Sequence, residues 1–168
     1  MRALSLLVAL LLPAGVAGAQ YHTADYFSVT WSGVALKSTQ TGGVTSMALG
    51  TTSHYQCEVD LTNRLVLALD STSQSIWKID PLLMAVTGTL ASDPAWSTTA
   101  YGLEFDQNGD LWIGLSSRIM KLSPGGVVTT VTAALGVSHM TFDIDTSDLL
   151  FARGGAVQSM DRNGANLT

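Results

Sequence analysis

From Tyr26 onward, apolar and polar residues alternate in short runs broken by Gly, Asn, Asp and Ser, the period of half-buried strands. One eight-residue pattern recurs without gaps at 53–60, 99–106 and 138–145, its starts 46 and 39 residues apart. In each copy the third, fifth and seventh residues are apolar (Tyr55, Cys57, Val59; Tyr101, Leu103, Phe105; Met140, Phe142, Ile144), so each copy is predicted as one strand. A polar turn follows each copy, at 61–64, 107–110 and 146–148. Next comes an apolar tetrad ending in a small residue, at 65–68, 111–114 and 149–152. A third strand of common type is predicted at 76–81, 119–124 and 157–161, and a Thr-rich fourth closes the first two units near 84–90 and 127–133. Four short strands in about 40 residues is the repeat of a propeller blade.

Residues 26–48 fit the last three strands of a preceding blade (26–31, 34–40 and 44–48), and the chain stops at 166–168, where a fourth strand of the last blade would begin. The expectation is an all-β fold of four-stranded antiparallel β-propeller blades. About three and a half blades are present, with strands counted three, four, four and three, forming an incomplete or open ring. A sandwich or solenoid stays open, because repeats alone do not fix how sheets stack.

The N-terminus has a different pattern. Arg2 precedes an apolar run at 3–12, Pro13 and Gly15 break it, and Ala17, Gly18 and Ala19 supply small residues, which together predict a signal peptide over 1–19 with cleavage before Gln20. The run is too short to span a bilayer as a helix, and no second long one follows, so the 20–168 domain is expected to be secreted or periplasmic and not membrane-spanning. Loss of Arg2 leaves seven Lys and Arg against thirteen Asp and Glu, a net charge of −6, which argues against nucleic acid as a partner. Ser and Thr total 36 of 168 residues, which favours strands and tight turns over helices. Cys57 is the single cysteine, so no disulfide forms within the chain.

The units running from Val59 and Asp60 to Ile79, Asp80 and Pro81, and from Leu103 to Ser123, Pro124, Gly125 and Gly126, resemble blades of the NHL, virginiamycin B lyase-like and gluconolactonase-like β-propellers. The likeness covers about residues 53–164. It implies a propeller fold, commonly closed with about six blades, so this chain resembles roughly half a ring. It implies no single activity, because the family includes lactonases, lyases, receptors and binding platforms. The metal-binding acidic and Asn positions of its gluconolactonase-type enzymes find no match among these residues.

Several residues could carry chemistry. The eight-residue alignment places His54, Ala100 and His139 at equivalent points where the innermost strand begins, and two imidazoles there could hold a divalent metal or move protons. Two ligands are fewer than zinc usually takes, and the alternative is that both histidines satisfy backbone groups at the strand entrance. The carboxylate pairs Glu58 and Asp60, Glu104 and Asp106, and Asp143 and Asp145 could act as acid and base or bind calcium. Recurrence in every blade points instead to turn-holding, since a reactive pair is needed only once. Residues 106–110 and 161–164 are read as hairpin turns. Cys57 is read as a buried small apolar residue. Asn166, Leu167 and Thr168 form a glycosylation sequon, a weak match at a terminus. Trp96, in the inter-blade loop 91–97, is the best aromatic candidate for carbohydrate or protein contact, against the alternative that it folds back onto its own blade.

No catalytic residues and no cofactor are predicted. The resulting expectation is an exported, non-catalytic propeller scaffold that binds a macromolecule or carbohydrate and self-associates through open blade faces, or a fragment of a longer protein. The rival is a metal-dependent lactonase or lyase of the six-bladed class, with His54 and His139 at its mouth.

Overall fold

The structure, a computed structural model, describes residues 8–9, 26–30, 33–39, 41–50, 54–97, 100–133, 137, 139–143 and 145–165; the side chains of Val8, Ala9, His54, Tyr55 and Ala133 lie outside that description. Four antiparallel sheets follow one another along the chain. The first contains β1 (Val8–Ala9), β2 (Tyr26–Thr30), β3 (Val34–Ser38) and β4 (Val44–Ala48). The second contains β5 (His54–Asp60), β6 (Leu65–Asp70), β7 (Ser75–Asp80) and β8 (Ala85–Ser92). A 3-10 turn at Pro94–Ser97 leads to the third, with β9 (Ala100–Phe105), β10 (Leu111–Leu115), β11 (Arg118–Leu122) and β12 (Val128–Ala133). The fourth holds β13 (His139–Phe142), β14 (Leu149–Arg153) and β15 (Ala156–Met160). Strands are hydrogen-bonded in chain order within every sheet, which makes each one a meander.

Period-two patterning explains why such short strands form a stable stack. In β10 all five residues are buried. Leu111, Ile113 and Leu115 face the second sheet, where they meet Leu67, Leu69 and Ile76. Trp112 faces the fourth, where it meets Leu149, Phe151 and Met160. A middle strand buried on both faces has no polar alternate. The seam between the first two sheets is built the same way from Phe27, Ala35, Cys57, Val66, Ala68 and Ile79. Each sheet therefore shares a core with the next, as successive blades do. No closed ring is formed by the described residues.

Two details differ from the sequence expectation. The first sheet has a fourth strand, β1, drawn from the apolar run read as the core of an export signal, with Val8 opposite Phe27 and Ala9 opposite Tyr26. The expected cleavage point before Gln20 lies outside the described residues. The repeat alignment also slips. Ladder pairing sets Glu58 opposite Leu67, Glu104 opposite Trp112 and Thr141 opposite Leu150. Thr141, not Asp143, thus stands level with the two glutamates, and the third copy is displaced by two residues. The cause is packing: Met140 lies against Gly102 and Gly114, and Phe142 against Trp112, so β13 ends at Phe142 and the following acidic run becomes turn. The tetrad in the second sheet is shifted by one: Val66 and Ala68 pack toward the preceding sheet, as Leu111 and Ile113 do in the third.

Candidate functional site

At the foot of the first strand in the second, third and fourth sheets an Asp holds the turn that follows. Asp60 Oδ1 accepts the amide of Asn63 at 2.9 Å and its Oδ2 accepts Asn63 Nδ2 at 2.7 Å. Asp106 Oδ1 accepts the amides of Asn108 and Asp110 at 2.8 and 3.0 Å, and its Oδ2 accepts Trp112 Nε1 at 3.1 Å. Asp143 Oδ1 accepts the amides of Asp145 and Thr146 at 2.8 and 3.0 Å, which holds its carboxyl below the usual range. Residues 106–110 thus form the hairpin turn expected of them, with Gly109 at φ 79°. Asp161 repeats the device on the amides of Asn163 and Ala165, both at 2.9 Å.

The glutamates behave differently. Glu58 and Glu104 occupy the same ladder level on β5 and β9, adjoining strands of neighbouring sheets. Burial pushes the Glu58 carboxyl up to about 7, and the charge of Glu104 adds to the rise against the bond Glu58 Oε1 accepts from the Val59 amide at 2.7 Å. Burial also raises Glu104, whose Oε1 faces Thr141 Oγ1 at 3.5 Å. The sequence reading grouped each glutamate with the Asp two residues on. Its actual neighbour is the glutamate of the next blade, and the signal was its recurrence at one strand position. A carboxyl that titrates near neutrality is chemically able to give or take a proton there.

The other candidates scatter. His139 is exposed at the start of β13 and pairs with Ala152, level with Gly102 rather than with Ala100. His54 begins β5 opposite Asp70, and its side chain lies outside the described residues. The two histidines therefore do not occupy equivalent ladder positions. Among the described residues, no three His, Cys, Asp or Glu side chains group closely enough to hold a metal ion. Cys57 is buried, and burial pushes its thiol up to about 12, so it packs as an apolar residue and is not a nucleophile. Trp96 corrects the expectation of an exposed aromatic: it is fully covered between the second and third sheets, because the 3-10 turn folds the indole onto Leu69, Ile76 and Leu115.

Four meander sheets sharing seams in chain order are matched by many solved structures. The fold is that of a β-propeller. A streptogramin B lyase structure superposes with a TM-score of 0.69 at 16% identity, over 98% of this chain and 58% of that one. A chain of a nidogen/laminin complex gives a TM-score of 0.69 at 15% identity, over 85% of this chain and 58% of that one. The extracellular domain of a one-component system from B. thetaiotaomicron gives 0.64 at 14%, over 86% and 20%. This propeller chain spans 58% of the length of the lyase it matches. No family model matches its sequence, and no curated protein does.

Proposed function

We propose that the chain is an exported, non-catalytic propeller scaffold whose loops and blade faces bind another macromolecule or a carbohydrate. The observation that carries the reading is the use of the repeated acidic residue: Asp60, Asp106 and Asp143 each hold the following turn through Oδ1, which accepts backbone amides of that turn. What recurs in every blade serves the frame. Support comes also from apolar side chains left on the surface, Leu83 at 72% and Val157 at 74% exposure, which suit contact with a partner or a second copy. Two of the similar structures are an extracellular domain and a protein complex, in keeping with export and binding. None of the described helices is long and apolar enough to cross a membrane. Export with cleavage before Gln20 belongs to the same proposal, and it would release β1 from the edge of β2.

A second reading, a lyase or lactonase, is favoured by the Glu58 carboxyl poised near neutrality beside Glu104 and by the likeness to streptogramin B lyase. One experiment separates the two. The exported protein is purified, its metal content measured, and it is offered lactones and cyclic depsipeptides alongside immobilised polysaccharides and extracellular proteins. The scaffold reading expects saturable, chelator-insensitive binding without turnover. Turnover that is lost in Glu58→Gln, or stoichiometric metal that disappears in the His54→Ala, His139→Ala double variant together with turnover, would establish the enzyme instead.

A further inference from the structure

The seams between blades are not filled alike. Between the third and fourth sheets, at the end where the first strands run into their turns, the Trp112 ring meets Phe142 edge-on at 5.6 Å. Gln107 Nε2 donates to Ser147 Oγ at 2.8 Å, bridging the turns of the two blades, and Arg162 Nε donates to the Ser147 carbonyl at 3.2 Å within the fourth. Between the second and third sheets the smaller Leu67 stands at the ladder level of Trp112, and the space at the same end remains a cleft of about 560 Å³. That size falls within the roughly 300–1,000 Å³ of small-molecule sites. It lies at the opposite ends of the inner strands from His54 and His139.

The cleft has a definite chemistry. Val59, Phe105, Leu111 and Leu122 are its apolar lining residues and Asp60, nine-tenths buried, lines it beside them, whereas the Asp106 carboxylate is taken up by its own turn and by Trp112 Nε1. No Lys, Arg or His is among its lining residues. The Asp60 oxygens each accept one bond, from Asn63, which leaves acceptor capacity on a group with about four lone-pair sites. An anion would meet the Asp60 carboxylate without a compensating cation. An ammonium would meet the spare acceptor sites of Asp60, and an aromatic or aliphatic body would meet the apolar side chains around it.

We infer that this inter-blade cleft binds a small organic cation with an apolar body, of the arylalkylammonium class. The inference is independent of what the loops or blade faces bind. The probe is 2-phenylethylammonium, titrated into the full exported chain and followed by amide chemical shifts, with 3-phenylpropionate as the anion of similar shape. The expected result is saturable shifts confined to 59–63, 105–111 and 122–126 for the cation and none for the anion. Thr62→Lys, which puts a positive charge on the exposed rim, should weaken the cation at least fivefold while leaving the melting temperature unchanged. Absence of shifts at millimolar cation, shifts spread over the whole surface, or equal binding of the two probes would overturn the assignment. The comparison of the two probes on the unmodified chain decides the matter even if the variant misfolds.

Discussion

At the residue scale, the positions that set this molecule apart from a plain stack of strands are two glutamates and a glycine. Glu58 titrates well above its ordinary range, so the folded state binds a proton that the unfolded chain releases at lower pH. Its favourable contribution is complete below about pH 4.5, fades as pH rises, and is gone above about 7. A shift of that size corresponds to at most on the order of 3 kcal/mol. Denaturation in urea across pH 5 to 8 should therefore show stability falling with rising pH, and Glu58→Gln should flatten the fall and be the more stable protein at pH 8. An unchanged slope would show that Glu58 is not held protonated. Gly102 is constrained by contact, not by its backbone angles: an added Cβ would lie 2.5 Å from Met140 Cγ. Gly102→Ala should cost about 1–3 kcal/mol in denaturant unfolding, the usual penalty of overpacking. No loss would mean that Met140 does not fill that seam.

At the element scale, the turns carry a prediction of rank. Asp106 holds two amides and a buried indole N–H, whereas Asp143 holds two amides at an exposed turn. Asp106→Ala should lose about 2–4 kcal/mol, because it strands the Trp112 N–H in the core, and Asp143→Ala should lose clearly less. Equal losses measured by thermal unfolding would contradict the ranking. Most of this architecture was legible in the sequence, since strand periodicity, turn chemistry and the spacing of repeats are local properties. Strands such as Leu65–Asp70 and Arg118–Leu122 fall where alternation and tetrads put them. Register between copies was less legible. The third copy slid by two residues because Met140 and Phe142 answer to Gly102 and Trp112 of another sheet, a requirement invisible in one repeat read alone. Trp96 took the covered alternative, yet the seam that receives it was hidden for the same reason: a loop position says little about which neighbouring seam has room for an indole. Glu58 and Glu104 became a pair only once β5 and β9 were neighbours.

At the scale of the whole molecule, the chain is a run of blades whose stability comes from shared seams, and its described residues close no ring. Exposed apolar side chains such as Val157 then favour association of copies, so light scattering of the exported chain should give a mass above that of a monomer, falling on dilution. A concentration-independent monomer would count against open faces that seek partners. The central claim is that successive inner strands lie side by side, each blade packed on the next. A nuclear Overhauser spectrum tests it most directly. Cross-peaks are predicted between the Trp112 indole and the Phe142 ring, and between the Gln56 carboxamide, whose Nε2 donates to the Tyr101 carbonyl at 2.8 Å, and the protons of Tyr101 and Gly102. A folded protein with complete assignments and neither set of cross-peaks would contradict the stacking on which everything else is built.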